Sequence, residues 1–426
     1  MGDPEPNTPS VARRLWAHGI LIAAVGLLYG YAMHEAVAVN ETPDFFIYRA
    51  GARLGLRGET PYDSEKMRVL VAEQFPGQHT LIDNCGYFLP PQAVLVYVPF
   101  AALPYPTAKL AWAGVNGLAG AAVLLVLRVL GSRPPVTWFG QLLPLALVAN
   151  CVVFVGVELG QTSLPIVGCV AVGLWCFERR GKWGFWLGVL LWSVAFVKPH
   201  LALPLIPLAW YLGGWKRAAA IVAVVAVLNL LGATIAGGSP LFVLDYVRYL
   251  KSSHKGVMFN QVASNPEITS WNALLYSMTS PVAGKRFLIE LTAVTTLAGY
   301  SMWFTLIAAR CALAKTKPSA AWVVAATVVG ALLCAQLLPY DLMILAVAVP
   351  WVRELFARGC PVRGCVATAL LVVQILPFDW ALAGHIGAQR PLGVALLAVA
   401  VLVGPVHPTS RANSALTPPT KLAELR

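Results

Sequence analysis

The chain is predicted to be an all-α polytopic membrane protein, and three observations carry that expectation. Of its 426 residues, 58% are hydrophobic and only 12% are charged, about half the charged share of an ordinary soluble domain. Many uninterrupted apolar runs approach the roughly 20 residues a helix needs to cross a bilayer. Most of the basic residues gather in short connections between those runs, where the positive-inside rule places them. The net charge of +12 therefore belongs to topology, and no nucleic-acid partner is expected.

The elements follow in order. Residues 1–14 read as a cytoplasmic tail, Pro-rich at first and fixed on the inner side by Arg13 and Arg14. The first span, about Leu15 to Val39, is too long for the apolar region of a secretory signal and lacks a small-residue cleavage site, so no cleavable leader is expected. Residues 40–87 form a polar outer loop that Gly58 and Pro61 divide into two surface helices. The run 88–104 has prolines at 90, 91, 99 and 104 and is short, so it reads as a short span or a half-inserted one; the count of crossings back to a cytoplasmic N-terminus favours the partial span. Spans are placed near 107–130, 138–157, 163–178, 183–197, 199–213 and 216–237, then near 287–309, 319–338, 341–356, 364–382 and 389–405. The basic connections Glu178 to Lys182, Trp215 to Arg217, Arg310 to Lys317 and Val352 to Arg363 alternate so as to lie inside. That puts a second polar loop, 238–286, outside with the first. The sum is a single transmembrane domain over 15–405 of about twelve spans, closed by a cytoplasmic tail at 406–426.

Eight cysteines are present. Most fall within spans, where cysteine acts as a small apolar residue. Cys360 and Cys365 share a basic loop with no histidine near, so no zinc site is expected.

Polar groups at the ends of spans are costly there and mark candidate function. Asp44 sits just beyond the first span, and Tyr48, Arg49, Arg53 and Arg57 follow it at spacings that put them near one helix face. A carboxylate backed by guanidiniums suits a reaction that removes a proton and expels an anion. An interfacial helix, with Asp44 as its N-cap and arginines on lipid phosphate, would show the same pattern. Lys198 lies between two apolar runs with Pro199 breaking the helix behind it. It fits an anionic head group at membrane depth, or a lysine that snorkels to the interface. Asp341, after Pro339-Tyr340, reads as a functional acid or as a helix cap. Gln161 and Ser163 occupy a turn between spans, and a polar turn needs no special role. Phe259, Asn260, Gln261, Trp271 and Asn272 in the second loop suit sugar rings and hydroxyls, or serve as interfacial anchors. His200 and His254 are available acids or anion partners.

No phosphate-binding glycine loop, HExxH helix or nucleophile elbow is present, and no cytoplasmic segment is large enough for a nucleotide-using site. Chemistry is therefore expected at the outer face, on a lipid-linked donor.

The segment from Asp44 through Tyr48 and Arg49 to Gly58, with Pro61-Tyr62, resembles the opening of glycosyltransferase family 87. That family comprises the bacterial polyprenol-phosphate-mannose-dependent α-mannosyltransferases of the GT-C superfamily. Pro90-Pro91, Gly160-Gln161, Lys198-Pro199, Asn260-Gln261 and Tyr340-Asp341-Leu342 match in the same order. Leu89, Ser163 and Val262 stand where the family more often has an aromatic residue, Asn and Ser. The resemblance implies a GT-C-like bundle with surface helices in the first outer loop, in the bacterial inner membrane. It implies transfer of a sugar, mannose by inheritance, from a polyprenyl-phosphate donor to a lipid or glycan acceptor, with inversion and without a nucleotide; no cofactor is expected, and no acidic cluster marks a site for an obligatory divalent ion. Asp44 would be the general base. Lys198, Arg49, Arg53 and His200 would hold the donor phosphate. Tyr48, Tyr62, Gln161, Asn260, Gln261, Tyr340 and Asp341 would contact sugar or acceptor. Two other expectations remain beside it: a transporter or lipid flippase using a Lys198/Asp341 pair, and a non-catalytic membrane scaffold.

Overall fold

The computed structural model describes residues 43–74, 86–129, 138–179, 181–237, 239–253, 270–271, 285–314, 318–335, 337–375 and 389–404, with isolated positions at 19, 23, 26 and 29–30. Asn260, Gln261 and almost all of the first span lie outside these residues.

Among the described residues every regular element is helical. In chain order they are α1 (Pro43–Leu56), α2 (Ser64–Gln74), α3 (Gln92–Ala101), α4 (Tyr105–Val129), α5 (Trp138–Val148), α6 (Cys151–Glu158), α7 (Ser163–Glu178), α8 (Lys182–Val194), α9 (Pro199–Ala202), α10 (Leu205–Gly213), α11 (Trp215–Gly237) and α12 (Val243–Ser253). Then come α13 (Lys285–Leu313), α14 (Ala320–Cys334), a 3₁₀ helix at Pro339–Ala348, α15 (Val349–Ala357), α16 (Pro361–Ile375) and α17 (Gln389–Val403). Among the described residues two helices are long and apolar enough to cross a membrane, over Tyr105–Leu127 and Trp215–Gly237. Shorter apolar helices include Gln92–Ala101, Ser163–Glu178, Lys182–Val197 and Ala320–Cys334.

Several expected spans are broken, and the sequence explains where. The run 138–157 divides at Asn150, whose side chain turns back to accept from the Val153 amide at 3.1 Å and caps α6. The run 183–213 parts at Lys198-Pro199, between the two spans expected there, because the residue before a proline is pushed out of the helical region; Lys198 sits at φ −115°, ψ 87°. It breaks again between α9 and α10 at Leu203-Pro204. The run 341–356 begins as ten residues of 3₁₀ helix, far longer than the three or four at which such helices usually stop. The partial span is α3, whose ten residues reach only about 15 Å along the axis, roughly half a bilayer core.

One expectation is corrected. The first helix of the outer loop, α1, does not lie on a surface: Phe45, Phe46, Ile47, Tyr48, Ala50, Ala52 and Leu54 are all buried. The small residues Ala50, Gly51, Ala52 and Gly55 let neighbours close in on it. A Cβ on Gly51 would stand 2.4 Å from the Tyr87 ring, and one on Gly55 would stand 3.3 Å from the Ala236 backbone of α11. α1 ends at Gly58, whose φ of +71° carries the chain out of the helix. The Glu59 amide bonds the Leu54 carbonyl at 2.9 Å and the Gly58 amide bonds that of Gly55 at 2.9 Å, the paired closure of a glycine C-terminal stop.

Two apolar cores result. The larger runs through α4–α8, α14, the 3₁₀ helix, α15 and α17 around Trp192, Trp322 and Leu164. The smaller joins α1, α2, α3 and α11 with Tyr87 and Phe242. Exposed tryptophans Trp183, Trp186, Trp210 and Trp215 gather at the start of α8, the end of α10 and the start of α11. These are ends the basic loops assign to the inner side, and tryptophan favours that boundary.

Candidate active site

The turn between α6 and α7 builds the centre of the site. Gly160 reverses the chain at φ +71°, and a Cβ there would lie 2.3 Å from the Cβ of Phe45. Only glycine serves both needs, the left-handed backbone and the close approach. The first turn of α1 seats on this reversal: the amides of Asp44 and Phe45 both donate to the Leu159 carbonyl, at 3.1 and 3.2 Å. Trp112 Nε1 holds the Gly160 carbonyl at 2.9 Å. The Gly-Gln pair is thus a hinge of packing that aims Gln161 at Asp44.

Gln161 joins four side chains into one network. Its Nε2 donates to Asp44 Oδ2 and to the Tyr340 hydroxyl at 3.0 Å. Its Oε1 accepts from the Tyr48 hydroxyl at 3.4 Å. Asp44 is partly open to solvent, while Tyr48 and Gln161 are buried. Burial of the carboxyl, opposed by the Gln161 hydrogen bond and the charge of Lys198 and reinforced by Asp341, lifts Asp44 from the usual range to about 6. An acid so placed is ionised at neutral pH yet able to take a proton. It is not the helix N-cap, since it lies inside the first turn of α1 and its side chain is committed to Gln161.

A second cluster adjoins the first. Lys198 Nζ and Asp341 Oδ1 pair at 2.9 Å, with side-chain exposures of 5% and 3%. Ser163 stands between them. Its hydroxyl accepts from Lys198 at 2.7 Å and donates to Asp341 Oδ1 at 2.5 Å. Asp341 Oδ2 also accepts from the Leu338 amide at 3.4 Å, so it is both ion-pair partner and cap of the 3₁₀ helix. Lys198 Nζ lies 4.7 Å from the centre of the Tyr340 ring. The path from acid to cation therefore runs Asp44, Gln161, Tyr340, Lys198. Lys198 is neither snorkelling nor free: two of its three N–H donors are taken by Ser163 and Asp341.

The other expected site residues take partners of their own. Arg49 is buried, and its guanidinium donates to the carbonyls of Phe100, at 3.0 Å, and Leu103, with Tyr105 at 5.7 Å. One residue along α1 is about 100° around it, so Arg49 departs from the face that Asp44 and Tyr48 share. It closes the C-terminal end of α3, whose last carbonyls lack helical partners. Arg53, one turn on, lies half-buried beside Arg49. The guanidinium of Arg49 is thus engaged with backbone carbonyls rather than with the Asp44–Lys198 network. Tyr62 is also remote from Asp44: its hydroxyl donates to the Leu89 carbonyl at 2.9 Å, and its ring packs among Phe242, Tyr246 and Tyr249. His200, in α9, stays within electrostatic reach of both Lys198 and Asp341, and its carbonyl accepts from the Tyr300 hydroxyl at 3.0 Å. Ser163, which reads in sequence as a polar turn residue with no special role, instead bridges Lys198 and Asp341; its signal was a small hydroxyl opening α7 directly after the Gly-Gln turn.

Fold and site define a helical, strongly apolar protein that holds ionisable groups in register inside its own packing. The model of glycosyltransferase family 87 matches residues 87–339, more than half of the 426, and the chain belongs to that family. It is accordingly a glycosyltransferase, of a family whose members are membrane proteins. The matched region includes Gln161, Ser163 and Lys198 and stops one residue short of Tyr340, while Asp44 precedes it. Searches of curated proteins and of solved structures gave no match. The buried Lys198–Asp341 pair is what a transporter would also use, but family membership decides for a transferase.

Proposed function

We propose that the protein moves a mannosyl residue from a polyprenyl-phosphate donor to a lipid or glycan acceptor at the outer face of the bacterial inner membrane, with inversion, on a GT-C-like bundle of about twelve spans. The observation that carries this reading is the continuous polar path from Asp44 to Lys198. Asp44 accepts the proton of the acceptor hydroxyl as its oxygen bonds the anomeric carbon. The bond from that carbon to the phosphate oxygen breaks, and polyprenyl phosphate departs with the electron pair. The remaining N–H donor of Lys198 meets the developing phosphate charge, where a positioned cation acts most strongly. Asp341 and Ser163 hold the ammonium in place. Gln161, Tyr340 and Tyr48 orient the acid and offer hydroxyl and amide contacts to the sugar. Base and leaving group lie on opposite faces of the ring, as inversion requires.

Asp44→Asn is the test, since it keeps the shape and removes the basicity. Transfer of labelled mannose from polyprenyl-phosphate mannose in membranes should fall by about 10²–10⁴-fold, with expression and detergent extraction unchanged. Retained transfer removes Asp44 from the base role.

A further inference from the structure

Beyond the glycine stop of α1 at Gly58, the two outer loops meet. The aromatic rings of Tyr62 and Tyr249 lie 5.5 Å apart, with Phe242 at 5.2 Å and Tyr246 at 5.4 Å from Tyr62. Beside them opens a cleft of about 440 Å³ lined by Thr60, Tyr62, Asp63, Asp245, Arg248 and Tyr249. None of these residues belongs to the Asp44–Lys198 network.

We infer that this cleft binds the non-reacting sugars of a glycan acceptor. The chemistry of the lining selects that ligand. Tyrosine rings offer flat apolar faces against which sugar rings pack. Thr60 brings a hydroxyl, and Asp63, Asp245 and Arg248 bring acceptors and a planar donor fork for sugar hydroxyls. Arg248 and Asp245 pair at 3.0 Å and are 77% and 49% exposed, so the charges largely cancel and a neutral ligand suits the cleft better than an anion. Asp63 is anchored, its Oδ1 accepting from the amides of Glu65 and Lys66 at 3.0 and 3.2 Å. The cleft is also held open by structure: Tyr62 is fixed to the Leu89 carbonyl, and α12 is pinned to it through Tyr246 and Tyr249. Because the lining of the cleft is separate from the Asp44–Lys198 network, it would be filled by sugars of the acceptor other than the one whose hydroxyl meets the base.

The inference rests on the transferase reading, and two measurements separate their failures. In the first, the purified full-length protein in detergent is titrated calorimetrically with manno-oligosaccharides of one to five units, alone and as Arg248→Ala and Asp245→Asn. Binding should tighten with length, and each exposed-site variant should weaken binding of the longest chain by about tenfold. In the second, the same oligosaccharides serve as acceptors with labelled polyprenyl-phosphate mannose, and KM should fall with length in the parent and lose that dependence in both variants. Length-independent binding, or length dependence untouched by both variants, overturns the cleft. Length-dependent binding that the variants weaken, without transfer to any acceptor, upholds the cleft and sinks the transferase reading instead.

Discussion

Asp341→Asn isolates the buried pair. The substitution leaves volume and hydrogen bonding nearly intact and strands the Lys198 ammonium, whose side chain is only 5% exposed, without a counter-charge. Removing one partner of a buried pair costs about 3–5 kcal/mol, which lowers the folded-to-unfolded ratio by more than about a hundredfold. Thermal unfolding of the detergent-purified protein, followed by tryptophan fluorescence, should show a clear fall in midpoint. Lys198→Met combined with Asp341→Leu removes both charges, and apolar replacements of a buried pair are commonly neutral or stabilising. The double variant should therefore recover most of the lost midpoint while remaining inactive in sugar transfer. The difference between the double and the summed singles measures the coupling. A single variant that melts like the parent, or a double variant whose loss equals the sum of the singles, refutes the claim that these two groups hold each other.

Three further outcomes follow from the geometry. Because burial raises Asp44 to about 6, its basic form predominates only above that point, so kcat/KM should climb about tenfold per pH unit below it and level off above. Gln161→Ala removes a hydrogen bond that favours the charged carboxylate, and the inflection should move to higher pH; an unmoved inflection would detach Gln161 from the acid. Arg49→Ala should lower stability by about 1.5–3 kcal/mol, since it leaves carbonyls of a helix end without their charged donor. Its activity per folded molecule should remain, whereas a phosphate-binding role would show as a collapse of kcat.

The site was legible in sequence where local chemistry sufficed. Asp44 stood out as an acid at the edge of an apolar run, and Lys198 as a cation behind a helix-breaking proline. Both turn out to belong to one network. What could not be read was which long-range partners each would take. The arginines at 49, 53 and 57 read as a stripe because their spacing is helical, yet carbonyls some fifty residues away claim Arg49. Lys198 read as a waiting anion site, while its ion pair spans 143 positions of chain. The depth of α1 was hinted at by its run of Ala and Gly, but its polar flanks argued for a surface. The 3₁₀ winding of Pro339–Ala348 had no local cue, since its composition suits an ordinary helix equally well.

The seating of α1 on the Leu159 carbonyl has a consequence for how the acid is kept in place. Its backbone amide and its side-chain oxygen are both fastened to residues of one short reversal, Leu159 and Gln161, only two positions apart. A two-point mount of this sort forbids the carboxylate to swivel unless the reversal itself opens, so much of its orientational entropy is already surrendered, which is what the proposed role as base would call for.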